Sequence, residues 1–202
     1  MKKTRPFSLH IRRLGAAALF CTGISALPAL AADSATSAPA DKLARGKYLV
    51  TVAGCNDCHT PFKPAPDGGA EPDMTRMLSG HPEALVMPPA PALPKGPWLI
   101  TAAATNTAWS GPWGVSYTAN LTPDPETGLG KWTLRNFMDT IRSGRHMGRG
   151  RPILPPMPIP MYKHFTDEDL EAIFTYLRTI PAVRNRVPEP LPPNVASVAT
   201  NR

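Results

Sequence analysis

Cys55-Asn56-Asp57-Cys58-His59 sets two thiols three positions apart with an imidazole directly after them, the pattern C-x-x-C-H. Each thiol can add its S–H across one vinyl group of a porphyrin. The His then stands as an axial iron ligand, so this spacing is the attachment signature of a c-type haem. Two competing chemistries use similar residues. A structural zinc site takes four ligands, usually in close-spaced pairs, and the only other cysteine is Cys21. A thioredoxin-like redox pair expects βαβ patterning around it, which the neighbouring sequence lacks. The expected cofactor is therefore one covalent haem c with its iron, held by Cys55, Cys58 and His59.

The sixth iron ligand separates an electron carrier from an open haem site. Met157 and Met161 both lie in a Pro-rich stretch, 153–162. A stiff loop suits a weakly binding thioether, which favours Fe(II) and raises the potential relative to a His pair. Against this, a Met in apolar company is usually core filling. His146 and His81 are the rival ligands, read more readily as surface or propionate-side residues, and His164 as exposed.

Elements must position these groups. A helix over about 42–54, with Asp41 as N-cap, carries Leu43, Gly46, Tyr48, Leu49 and Val52 on one side. Gly46 weakens that helix, so either a close helix crossing requires it or it is merely tolerated. A second helix over 133–143 has Thr133 as N-cap, an apolar stripe of Leu134, Phe137, Met138 and Ile141, and Gly144 as its stop. The last helix, about 166–179, starts at Thr166 with Asp169 in the capping-box position, buries Leu170, Ile173, Phe174 and Leu177, and ends before Pro181. Between the first two helices, 62–114 is dense in Pro, which forbids helix interiors and sheet centres. It reads as an irregular insertion in which Leu99–Thr105 and Val115–Leu121 could pair as a hairpin. Residues 153–162 read as extended loop, and 182–202 as an extended tail that packs early and frays late.

The N-terminus reads as a secretory signal over 1–31. Lys2, Lys3, Arg5, Arg12 and Arg13 precede an apolar run from Leu14 to Ile24, and Ala29-Leu30-Ala31 supplies a cleavage site. That run is short for a membrane span, so no stable membrane insertion is expected after cleavage. A flexible leader, 32–40, follows. The 22 Lys and Arg, less the five in the signal, leave 17 against 15 acidic residues. A mature net charge of +2 excludes the basic footprint of a nucleic-acid binder, and an export signal with haem points to the periplasm.

Several motifs together resemble a class I c-type cytochrome, monohaem, similar to the cytochrome modules of periplasmic alcohol, aldehyde and gluconate dehydrogenase subunits. They are C-x-x-C-H, Asn120 to Gly130, Trp132, Arg142-Ser143-Gly144-Arg145-His146, and Pro155-Pro156-Met157-Pro158 followed by Tyr162. The resemblance covers roughly 41–181. It implies an all-α, single-domain cytochrome c-like fold whose first and last helices cross at right angles near Gly46, with Pro61 beside the proximal His. It implies Met157 as sixth ligand, with Met161 second, and haem propionates near 120–132 within reach of Trp132, Arg142 and Arg145. The implied function is that of an electron carrier rather than an enzyme, passing single electrons from a periplasmic dehydrogenase to a cytochrome or oxidase. The alternatives are a haem sensor or peroxidase-like enzyme with a labile sixth ligand, and a fixed electron-transfer subunit of a dehydrogenase complex.

Overall fold

Gly46 is where the first helix meets the last. A Cβ built there would lie 2.0 Å from the Ala172 carbonyl oxygen and 2.8 Å from Tyr176 Cβ, so only glycine lets the two backbones approach this closely. The helices concerned are α1 (Pro39–Val52) and α5 (Asp167–Leu177). They belong to a computed structural model that describes residues 39–91, 93 and 96–193. The expected secretory signal over 1–31, the expected leader up to residue 38, and the tail from residue 194 lie outside the described residues. Between α1 and α5 come α2 (Cys55–His59), β1 (Phe62–Pro64), β2 (Ala70–Pro72), β3 (Thr101–Ala102), β4 (Ala108–Gly111), β5 (Gly114–Tyr117), α3 (Leu134–Ser143) and α4 (Ile159–Tyr162).

The core sits among α1, α3 and α5, built from Leu49, Val50, Phe137, Ile141, Leu170, Ile173 and Leu177, with Leu78 and Leu129 brought in from loops. On α1 the buried positions are Gly46, Leu49 and Val50, one helical face at i, i+3, i+4. Tyr48 and Val52, expected on that face, are exposed instead. Asp41 lies inside the first turn rather than capping it, because the helix begins at Pro39, where the fixed φ of proline suits a first turn. Cross-helix ion pairs Lys42–Glu171 (2.6 Å) and Arg45–Asp169 (2.9 Å) border the contact. Asp169 therefore spends its carboxylate on Arg45, while its backbone N–H is capped by the Thr166 hydroxyl.

The other two helix starts and stops follow the sequence. Thr133 and Asn136 form a reciprocal capping box on α3, and Gly144 ends it in the left-handed conformation, φ +65°. One prediction about the Met loop fails: 159–162 is a turn of helix, α4, not extended chain. Pro160 occupies its first turn, where a missing N–H costs nothing.

The fold is not plainly all-α. Two small antiparallel sheets, β1–β2 and β3–β4–β5, occupy the insertion. Local turns decided their pairing. Ala65 to Gly69 closes β1 onto β2, with Ala65 N donating to Gly69 O at 2.9 Å. Pro112-Trp113 closes β4 onto β5 in register Ala108↔Tyr117 to Gly111↔Gly114. The expected partner strands, Leu99–Thr105 and Val115–Leu121, are thus separated by an unforeseen middle strand. Among the described residues no helix is long and apolar enough to cross a membrane.

Candidate functional site

Cys55, Cys58 and His59 share one short helix, α2, so their side chains leave neighbouring points of a single turn. That turn is fixed from several sides. Gly80 N donates to His59 O (2.7 Å), Leu78 N donates to the Thr60 hydroxyl (2.9 Å), and the Asn106 amide donates to Asp57 O (2.5 Å). The insertion thus holds the motif in place as well as following it.

All three residues line a cavity of about 540 Å³, within the range of cofactor pockets. His59 is only 8 % exposed, and its Nδ1 lies 2.7 Å from Ala119 O. A carbonyl can only accept, so Nδ1 carries the proton and Nε2 keeps its lone pair for a metal. Burial lowers the pKa of this His against the opposing effect of the Ala119 bond, which keeps the ring neutral as a ligand must be. Burial also pushes the Cys55 thiol up to about 11 and raises Cys58 in the same direction. Both thiols are unpaired and so are free to add across vinyl groups. Among the described residues no group of three His, Cys, Asp or Glu side chains is placed to hold a metal ion.

Inside, the cavity is apolar, walled by Leu129, Phe137, Ile141, Leu170, Ile173 and Leu177. Its charged lining residues, Glu126, Arg151, Arg186 and Glu189, are all exposed and so form its rim. An apolar interior with a charged rim and a neutral imidazole fits a haem, whose macrocycle is apolar and whose propionates are anionic.

Met157 lines the cavity and packs against the core. Met161 is 69 % exposed and is not in the lining. His146 borders the cavity, its ring edge-on to Trp132 at 5.2 Å, and Trp132 also lines it. His81 is no surface residue. It is fully buried away from the cavity, Nδ1 at 2.9 Å from the Thr107 hydroxyl and Nε2 at 3.0 Å from Leu85 O. His164 is exposed, as expected. The structure does not bring Arg142 or Arg145 to the cavity. Arg142 donates to Lys163 O and to Asp167 Oδ1, and Arg145 donates to Gly150 O, so both tie down local turns.

Sequence reasoning missed Arg151 and Arg186, and it missed that the tail forms a wall. Val187 to Pro190 line the cavity, and Leu191 pairs with Val115. Asn185, 1 % exposed, locks this tail. Its amide donates to Ser79 O (2.7 Å) and His81 O (2.8 Å), and its oxygen accepts from Glu83 N (2.8 Å) and Arg76 Nη2 (3.0 Å). No period or motif marks it, and a lone Asn between arginines carries no such signal.

No family model matches the chain. Its relatives are instead individual proteins. It is 29 % identical over 143 residues to the fructose dehydrogenase cytochrome subunit of Gluconobacter japonicus, covering 71 % of this chain and 22 % of that protein. It is 28 % identical over 154 residues to the gluconate 2-dehydrogenase cytochrome c subunit of Pantoea cypripedii, covering 76 % and 26 % respectively. It is 37 % identical over 65 residues to the cytochrome c subunit of the quinone alcohol dehydrogenase of Gluconobacter oxydans, covering 32 % and 13 %. The chain thus spans about a quarter or less of the length of these relatives. They bear out the resemblance at the level of a c-type cytochrome subunit.

Proposed function

We propose that this chain is a periplasmic monohaem c-type cytochrome that carries single electrons between a dehydrogenase and a downstream cytochrome or oxidase. The observation that carries the reading is the buried His59 ring, protonated at Nδ1 by its bond to Ala119 O and flanked by two unpaired thiols on the wall of an apolar cavity. When bound, haem c supplies a one-electron iron couple. The residues do the rest. Cys55 and Cys58 fix the macrocycle, and Ala119 orients His59. Met157 offers a soft sulfur at the cavity wall. The apolar walls exclude water, which disfavours the more highly charged oxidised iron and so raises the potential. Trp132, Arg186 and Arg151, the last also paired with Glu189, line the cavity and would be the residues to hold the propionates. The relatives are cytochrome subunits of dehydrogenases, which supports a carrier rather than an enzyme.

A second reading, a fixed subunit of a dehydrogenase complex, is favoured by one observation. The consecutive residues Trp98, Leu99 and Ile100 in the Pro-rich segment are exposed, Trp98 by 75 %, and exposed apolar runs of this kind favour a contact surface. The test is to mix oxidised, haem-loaded protein with a substrate-reduced sugar or alcohol dehydrogenase. The carrier reading expects one electron per haem and rates that rise with the concentration of this chain. Rates independent of that concentration, in a complex that survives gel filtration, support the fixed subunit. No reduction by any such dehydrogenase contradicts both.

A further inference from the structure

The Met157 loop has little backbone hydrogen bonding of its own. Residues 155–158 read Pro-Pro-Met-Pro, so three of the four have no N–H to donate. Upstream, Ile153 N is bonded to Gly144 O (2.8 Å), and downstream Ile159 N is bonded to Met157 O (2.9 Å). Pro158 O accepts from Met161 N (2.9 Å) and Tyr162 N (3.0 Å), whereas upstream of Met157 the stretch is held by a donor from another part of the molecule. Ser116, on β5 of the inserted sheet, donates from its hydroxyl to Pro155 O at 2.6 Å. Ser116 is 6 % exposed and lines the cavity. Its hydroxyl also accepts from Trp113 Nε1 at 3.3 Å, while Trp109 O lies 3.4 Å away. The hydroxyl has one proton, and Pro155 O is much the nearer acceptor.

We propose that Ser116 is a positioning residue for the sixth iron ligand, holding the loop two residues before Met157 so that its sulfur is presented to the iron. The proposal rests on the reading of Met157 as that ligand. A thioether is a weak ligand, and a weak ligand stays bound only when little ordering is left to do at the moment of binding. The inserted sheet therefore supports the metal centre through one part-buried hydrogen bond, and the Pro-rich loop can be stiff and correctly aimed at once.

The test uses the haem-loaded full chain in its oxidised form and follows the weak absorption band near ~695 nm given by thioether sulfur on low-spin iron. Imidazole is titrated in to displace the sulfur from wild type, Ser116→Ala, Ser116→Thr and Met157→Ala. The proposal expects Ser116→Ala to keep the band but lose it at about fivefold lower imidazole, the factor corresponding to one ordinary hydrogen bond. Ser116→Thr restores the hydroxyl and is expected close to wild type. Ser116→Cys, which keeps the volume and weakens the donor, carries the same comparison if the alanine variant does not accumulate. Displacement at the wild-type concentration in Ser116→Ala, with the band absent from Met157→Ala, overturns the role of Ser116 alone. A band surviving in Met157→Ala overturns the ligand reading, and the role of Ser116 falls with it.

Discussion

Two histidines show how a residue's surroundings set its use. His59 and His81 are both buried, both close to a backbone carbonyl, and both shifted below the ordinary His pKa by loss of solvent. His59 keeps one nitrogen for the cavity, whereas His81 spends both on Thr107 and Leu85. The consequence for His81 is a pH dependence of stability. Burial lowers its folded pKa, and Arg76 adds to this against the Leu85 bond. The unfolded chain therefore binds the extra proton first, below about pH 6.5. Stability is fully present above that value and declines as pH falls toward the folded pKa, by at most ~1.4 kcal/mol per pH unit for one proton. Urea unfolding of haem-loaded protein between pH 7.5 and 5 should show this decline, and His81→Gln should flatten it. An equal slope in the variant would remove His81 as its source. At the thiols, Cys55→Ala or Cys58→Ala should leave a single thioether link. The reduced pyridine complex of each variant, formed in alkali, then shows its α band at longer wavelength than wild type. Unshifted spectra would mean that neither thiol bonds the porphyrin.

At the scale of elements, the three long helices were legible in the sequence, whereas the short helix α4 and most of the strand pairing were not. Thr133, Gly144 and Thr166 are local signals, and each acts where its type predicts. The pattern left Gly46 open between a close crossing and mere tolerance, and the structure shows the close crossing. Gly46→Ala should cost more than about 3 kcal/mol, because its Cβ would overlap a backbone oxygen that no rotamer can move. A loss below about 1 kcal/mol in chemical unfolding would show that the helices can separate freely. In the insertion, β3 and β5 fall on the two segments expected to pair, but the middle strand β4 and the β1–β2 pair were not foreseen, because a high Pro count reads as mostly irregular chain. Its Pro residues lie mainly between or at the ends of short edge strands, where a missing donor is tolerated. The tail was legible only as extended chain, because its hold comes from Asn185 and partners about a hundred residues away. Asn185→Ala leaves Ser79 O, His81 O, Glu83 N and Arg76 without a shared partner, and should cost about 3 kcal/mol. Loss of under about 0.5 kcal/mol would show that water replaces the side chain.

For the molecule as a whole, the site is assembled from segments far apart in sequence. The C-x-x-C-H turn supplies the thiols and the imidazole, and the 119–129 loop orients the imidazole. The Met loop is tied to the small sheet, and the tail closes the rim. The motif itself was readable at once, because its chemistry is local. The rim was not, because Arg151 and Arg186 are brought to it only by tertiary packing, whereas Arg142 and Arg145, adjacent to readable motifs, are used elsewhere. The central claim is that this cavity holds a six-coordinate haem with His59 and Met157 on the iron. The most direct measurement is the optical spectrum of haem-loaded protein, oxidised and reduced, with and without CO, for wild type and Met157→Ala. The account predicts low-spin iron in both oxidation states, a ~695 nm band lost only in the variant, and CO binding that becomes ready only in the variant. High-spin wild-type iron that takes up CO readily would contradict it, and would point to a haem sensor or peroxidase-like enzyme.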